Sequence, residues 1–268
     1  WDIYCKAVVI NNFWPKNFDH KQTIVSHMAL SEVSDNLLTL DNNMLHVKCN
    51  QCAKEGKTIS TIIISSNITI GSNAFPLNES GDVVGFIKNG SELYITTKFQ
   101  GRKVLGIAFV MFKGLKDVEN IILDGLDTRN NLTMWGMFQG CSKLKELDLS
   151  MFDTSKVTSM EYMFEGCTSL EKVDLSSFDT SKVICMAEMF SGCQNLKSLD
   201  LSGFDTSHVK DYINSNDLSG FCSMFKNCYA LEELNISTFD THRCPSMVSM
   251  FENCRSLKEL NLATFDIS

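Results

Sequence analysis

The chain lacks any apolar run of about 18 residues, so no segment is long enough to cross a bilayer as a helix. No cleavable leader, with a basic start and a short apolar core, is visible at the beginning. Prolines number only 3 and glycines 15, which argues against a long flexible linker. Positive charge is in deficit: 24 lysines and arginines face 32 acids, for a net charge of -8. That balance weighs against nucleic acid and against an anionic membrane surface, since both demand a basic face. The 5 histidines are scattered, and no Ser/His/Asp or Cys/His grouping can be assembled. The expectation is therefore a non-enzyme without cofactor or bound metal. What is present is 44% hydrophobic residues in a chain of 268, enough to build a core. The start at Trp1 and the stop at Asp266-Ile267-Ser268, in mid-repeat, read as cut ends.

A repeat dominates the rest. Met-Phe followed by Cys recurs at Met137-Phe138…Cys141, Met163-Phe164…Cys167, Met189-Phe190…Cys193, Met224-Phe225…Cys228 and Met250-Phe251…Cys254. The Met-to-Met steps are 26, 26, 35 and 26, so one step carries an insertion, placed at Lys210 to Gly220. A weaker copy lies at Met111-Phe112, with Leu115 in the Cys slot. In each unit Leu147 and Leu149 alternate with Glu146 and Asp148, the period of a half-buried strand. Phe152-Asp153-Thr154-Ser155 then supplies capping residues, and Val157, Met160, Met163 and Phe164 follow at helical spacing. The Gly or Asn before each Cys suits a left-handed residue at a helix end.

The stretch Leu-Asp-Leu-Ser-x-Phe-Asp-Thr-Ser-x-Val…Met-Phe-x-Gly-Cys-x-x-Leu resembles the BspA-like leucine-rich repeats and the related repeat of surface lipoproteins in wall-less bacteria. The expected fold is an α/β solenoid, with a parallel strand sheet on the concave side and short helices on the convex side. Regular repeats would fill 111–268. An entry repeat would occupy 83–110, since Leu93 to Phe109 resembles a strand, a glycine-containing turn and an Ile-x-x-x-Ala-Phe helix. Residues 1–82 fall outside the register and predict a β-containing cap or small domain, with strand over Thr58 to Ile70 and a short helix over Met28 to Leu38. The resemblance implies a cell-surface or secreted interaction protein, often an adhesin, with no common catalytic activity.

The candidate sites follow from the slots. Cys141, Cys167, Cys193, Cys228 and Cys254 read as a row of buried thiols. Cys5, Cys49, Cys52, Cys185, Cys222 and Cys244 lie off that row and are candidates for disulfides, with Cys222 bridging to Cys185 or Cys244. Cys49-x-x-Cys52 is open between half a zinc site, a redox pair and a bridge to Cys5. The outward strand slots hold Glu146, Asp148, Lys172, Asp174, Ser198, Asp200, Glu233, Asn235, Glu259 and Asn261, the expected binding face. A row of carboxylates there suits calcium or a basic partner, or simply solvates the sheet. The second row, Asp153, Asp179, Asp205, Asp240 and Asp266, reads as turn capping. Sequons begin at Asn67, Asn78, Asn89, Asn131 and Asn235. The expected function is binding of a protein or glycan on a host or neighbouring cell. The alternatives are self-association into a surface layer or filament, and a glycan-binding module.

Overall fold

A computed structural model of the chain describes residues 40–99, 101–106, 108–210, 220–244 and 246–266. The chain divides into two compact units, Trp1–Leu37 and Leu38–Ser268, and all described residues belong to the second. The helix expected over Met28 to Leu38, Cys5 and most of the insertion lie outside the described residues.

The described part opens with helix α1, Asn42–Lys54. Asp41 caps it, its carboxylate accepting from the amides of Asn43 at 2.8 Å and Met44 at 3.1 Å. Leu45 and Cys52 turn inward, and the polar face carries Lys48, Gln51 and Lys54. A five-stranded sheet follows, built from β1 (Thr61–Ile64), β2 (Phe75–Pro76), β3 (Val83–Lys88), β4 (Glu92–Thr97) and, after the two-residue β5 (Val104–Leu105), β6 (Asn120–Ile122). Its order is β2-β3-β4-β1-β6. The Asn89-Gly90 turn joins β3 to β4 as a hairpin, both residues taking positive φ, at 50° and 76°. β1, expected within Thr58 to Ile70, runs parallel to β4 and to β6. It buries Ile62 and Ile64, the alternation its sequence promises. β5 pairs in parallel with β7 (Leu126–Asp127).

The sheet takes in the first repeat through β6, and a close approach follows it. The Gly125 amide donates to the Ile64 carbonyl at 2.8 Å, and the Val104 amide donates to the Gly125 carbonyl at 2.8 Å. A Cβ on Gly125 would lie 2.4 Å from the Ser65 Cα, closer than any side chain tolerates.

The fold class expected from the repeats is not what forms. An α/β solenoid with a parallel sheet on one side and helices on the other is overturned by two findings. The large sheet is mixed, with β2–β3 and β3–β4 antiparallel. Among the described residues α1 is the one helix, and the Met-Phe segments are turns. The entry unit's expected helix, ending at Phe109, does not form among the described residues either: Val104–Leu105 is strand β5, and Phe109 begins a turn. The physical reason lies in the backbone. Within each Met-Phe segment two residues take left-handed φ: Tyr162 at 58° and Gly166 at 71°, Glu188 at 54° and Gly192 at 76°. Left-handed residues four apart leave no room for a helical turn. The amides then look outward: Gly136, Phe138 and Gly140 donate to Glu161, Met163 and Glu165 of the next unit, at 2.9, 2.9 and 2.7 Å. The residue before each Cys is left-handed as expected, but it closes a turn.

Among the described residues the alternating segments give regular strand in two places: β6, which the first unit contributes to the large sheet, and β8 (Ser198–Asp200), which pairs in parallel with β9 (Glu233–Asn235). Elsewhere the units meet through isolated contacts, such as the Glu171 amide on the Lys145 carbonyl at 2.9 Å.

Each repeated residue type has one task between units. The Met-Phe phenylalanines stack from Phe112 through Phe138, Phe164, Phe190 and Phe225 to Phe251, with centroids 5.4–5.8 Å apart. Each Cys of the row donates its thiol to the Phe carbonyl of the preceding unit, as Cys167 does to Phe138 at 3.1 Å. Buried threonines clamp the corners. Thr180 Oγ1 donates to the Asp205 carbonyl at 3.0 Å and accepts from the Asp205 amide at 2.8 Å. Thr128, Thr154, Thr206 and Thr241 repeat this on Asp153, Asp179, Asp240 and Asp266. The register survives the insertion, since Phe190 donates to Met224 at 2.9 Å just as Phe164 donates to Met189.

Candidate functional site

All ten residues of the expected binding face are exposed. Most of them are committed locally. Asp148 accepts from the Ser150 hydroxyl at 2.6 Å and its amide at 3.0 Å, which holds its carboxyl below the ordinary range. Asp174 and Asp200 are lowered in the same way, chiefly by the amides of Ser176 and Ser202. Asn235 accepts from the Ser237 hydroxyl at 2.8 Å, and Asn261 from the Ala263 amide at 3.0 Å. Lys172 pairs with Glu146 at 2.9 Å. Ser198, Glu233 and Glu259 complete the row. The Asp and Asn side chains of the row close turns at the end of each Leu segment. The second Asp row caps as expected: Asp153, Asp179 and Asp205 each accept from the serine two residues on.

Among the described residues the off-row cysteines, Cys49, Cys52, Cys185, Cys222 and Cys244, are thiols. Cys185 and Cys222 pack together with Ala187. The Cys222 and Cys244 thiols both approach the Ser246 carbonyl, at 3.7 and 3.5 Å. On α1, burial and the neighbouring Cys52 push Cys49 up to about 12, a poor start for a thiolate ligand or nucleophile. Among the described residues no three His, Cys, Asp or Glu side chains converge as a metal site.

Of the sequons, Asn67, Asn89 and Asn235 are exposed and Asn78 is half-buried. Asn131 is not a usable acceptor in this fold. It is 8% exposed, and its Nδ2, the atom a glycan would join, donates to the carbonyls of Gly106 at 2.9 Å and Thr128 at 3.1 Å. Its Oδ1 accepts from the Ala108 amide at 2.8 Å.

A different patch gathers more chemistry. It lies on the turn side, where the slot two residues before Met holds Phe109, Trp135 and Glu161 in successive units, and the next slot holds Val110, Gly136, Tyr162, Glu188, Ser223 and Ser249. Phe109 stacks on Trp135 at 5.4 Å, and Trp135 meets Tyr162 at 5.1 Å with the rings tilted by 60°. Lys113 Nζ sits 4.9 Å from the Trp135 ring centre. Gln139 donates its amide to the Glu165 carboxylate. Glu161 is 2% exposed and engages the Cys185 thiol.

The electrostatics of this patch are unbalanced. Burial, then the carboxylates of Glu188 and Glu161, with Glu165 a further contributor, push the Tyr162 hydroxyl well above its ordinary value. Burial and the neighbouring Glu165 raise the Glu188 carboxyl, against the opposing pull of Lys226. Lys226 itself pairs with Glu252 at 2.9 Å. Backbone geometry adds a second cost. The Tyr162 and Glu188 slot is left-handed in every unit, from Val110 at 49° to Ser249 at 56°. Glycine fits it freely, as at Gly136, whereas a bulky residue there costs about 1–3 kcal/mol.

Sequence reasoning missed this patch because it assigned Met160, Met163 and their neighbours to a helix. One signal was available: the slot alternates Gly, Tyr, Glu and Ser while Met and Phe beside it stay fixed.

No helix among the described residues is long and apolar enough to cross a membrane. Comparison with curated proteins gives no match, and comparison with solved structures gives none. The family model described as "Mycoplasma protein of unknown function, DUF285" matches residues 109–217 and again 213–268, more than half of the chain, and the protein belongs to that family.

Proposed function

We propose that the protein is an interaction protein of the cell surface or extracellular space, which binds a macromolecular partner on variable positions of its repeats. One observation carries this reading. Within a single chain the buried slots repeat Met, Phe, Cys, Leu and Thr, while the slot that is half-buried at Tyr162 and Glu188 changes chemistry from unit to unit. A fixed scaffold with a few variable, partly accessible positions is the arrangement of a binding surface, where a few anchors on a rigid frame supply most of the affinity. The resemblance of the repeats to BspA-like surface proteins supports the surface location and an adhesive role. The turn-side patch around Trp135 and Tyr162 is favoured over the strand-slot row, whose acids and amides are already engaged.

The test is biolayer interferometry of the full chain against an array of purified extracellular-matrix proteins and cell-surface glycans. Saturable binding to a member of the array, weakened by Tyr162→Gly with Glu188→Ser, is the expected result. Absence of binding across the array, with concentration-dependent assembly in analytical ultracentrifugation, would overturn it in favour of a self-assembling structural subunit.

A further inference from the structure

The geometry points to a docking surface on the outward face of the five-stranded sheet, an apolar stripe formed by Tyr94, Ile63 and Ile122, and to a protein segment with apolar anchors and a basic flank as its occupant. The surface uses none of the residues of the turn-side patch and goes beyond that reading.

The stripe follows from the strand register. Ile63 of β1 pairs with Tyr94 of β4 on one side and with Ile122 of β6 on the other. Partners in register share a face, and the neighbours Ile62, Ile64, Leu93, Ile95, Ile121 and Leu123 take the core side. The three outward side chains therefore lie in one row, about 10 Å long at about 4.8 Å per strand. Ile122 is 48% exposed, and Ile63 and Tyr94 are half-buried. Phe86 stacks on Tyr94 at 5.4 Å and, being fully buried, closes the row at that end. The flanking rows are polar. Thr61 pairs with Glu92 and Asn120 in one, and the Ser65 hydroxyl donates to Asp124 at 3.4 Å in the other. The chain itself shows that the fold does not require an apolar residue at the exposed end. The Ile122 slot holds Asp148, Asp174, Asp200, Asn235 and Asn261 in later units, and Asp200 sits there in the regular strand β8. Those side chains close turns, a role isoleucine cannot take. Apolar groups on three adjacent strands, partly open to water, form a platform for a partner to cover.

The charges at the two ends select the occupant. At the Tyr94 end a cation is already in place, the Lys88 ammonium 4.6 Å from the ring centre. The carboxylate there, Glu92, accepts from the Asn89 amide at 2.9 Å and the Tyr94 hydroxyl at 3.2 Å. At the Ile122 end stand two exposed carboxylates, Asp124 two residues along the same segment and Asp148 in the same slot of the next unit. A basic residue of the partner is drawn to the Ile122 end and repelled from the Tyr94 end. Ile63 and Ile122 offer apolar area and no hydrogen-bonding group, which suits the aliphatic or aromatic anchors of a protein and leaves the hydroxyls of a glycan unpaired. An anionic lipid surface would meet Asp124 and Asp148 with like charge.

The surface is tested by fluorescence anisotropy of the full chain with a fluorescein-labelled peptide, Lys-Lys-Leu-Ser-Leu-Lys-Lys, and with its counterpart carrying glutamate for every lysine. Saturable binding of the lysine peptide with Kd on the order of 100 μM is expected, and none of the glutamate peptide. Ile122→Asp should weaken binding by about 10-fold and Ile63→Thr by about 3- to 10-fold. The first variant adds a negative charge, so undirected electrostatic attraction to the lysine peptide would tighten instead. Since aspartate holds this slot at Asp200, Ile122→Asp should leave Tm within about 4 °C of the parent. A larger fall marks Ile122 as a structural residue and overturns the proposal. So does unchanged or tighter binding of the lysine peptide to Ile122→Asp, equal binding of the glutamate peptide, the absence of saturable binding, or binding to phosphatidylserine vesicles that Ile122→Asp abolishes. Tyr162→Gly with Glu188→Ser should bind the lysine peptide as the parent does. Peptide binding with no response on the array therefore keeps this surface while the turn-side reading fails, and array binding with no peptide response does the reverse.

Discussion

Replacing Thr180 with valine removes one hydroxyl and leaves the side-chain shape nearly unchanged. The hydroxyl is buried, with Thr180 2% exposed, and it makes two bonds to the next unit: to the Asp205 carbonyl at 3.0 Å and from the Asp205 amide at 2.8 Å. Valine would strand both backbone groups in a partly buried corner. Each lost bond is worth about 1 kcal/mol net, and an unsatisfied buried group costs about 1–3 kcal/mol, so the expected loss is about 2–4 kcal/mol. Thr180→Ser is the contrast. It keeps both bonds and removes one methyl, for about 1 kcal/mol. The last clamp gives a second contrast, since Thr241 reaches the Asp266 carbonyl only at 3.5 Å, and Thr241→Val should cost less than Thr180→Val. Urea unfolding followed by circular dichroism gives all three values. If valine at 180 proves no more damaging than serine, the threonines are packing residues and the clamp argument is wrong.

Three further outcomes follow from other parts of the molecule. Burial holds the row cysteines far from ionisation, with Cys141 pushed up to about 12 and Cys167 and Cys193 well above their ordinary value; in native protein at pH 8, mass spectrometry after iodoacetamide should find them unlabelled, with half-buried Cys254 first in the row to react. Gly125→Ala drives a Cβ to within 2.4 Å of the Ser65 backbone and should lower stability by about 1–3 kcal/mol or more, seen as a shifted thermal midpoint. Glu188→Gln tests the raised carboxyl. A group with a folded pKa above its ordinary 4.5 contributes stability below that pH and loses it as pH rises through the folded value. Its neighbours Glu165 and Lys226 pull in opposite directions. The variant should therefore be more stable than the parent at pH 7 and equal to it below about pH 4, by thermal denaturation at each pH.

How much of this was legible in the sequence depends on which partner a residue chooses. The buried slots were legible, because Met163, Phe164, Cys167 and Leu170 face inward whatever the backbone does, and a fixed spacing is enough to find them. The local backbone was not. Apolar residues three and four apart suit a helix, and they equally suit turns whose amides bond to the next unit, as Phe138 does to Met163. Periodicity reports which face is dry and is silent on where the hydrogen bonds go. The left-handed residues decide between the two, and only where glycine fills the slot, as at Gly136, does the sequence declare one. Tyr162 and Glu188 conceal theirs. The ten slots expected to face outward are exposed, and the structure adds that most of their side chains are engaged locally. An Asp two residues before a Ser invites an outward carboxylate on paper and closes a turn in the fold, as Asp148 does with Ser150. Asn131 shows the same limit, since a sequon cannot reveal that its amide is already spent on Gly106 and Thr128.

The stacked phenylalanines, thiol bonds and threonine clamps join each unit only to its neighbours. Under tension applied along the chain, such a molecule yields from an end and releases one unit at a time. A 26-residue unit would pay out about 90 Å of chain, and the one carrying the insertion, at 35 residues, about 120 Å. A tether built this way lengthens in steps under load while the remaining units stay folded, and it absorbs a pull that would tear a single bond.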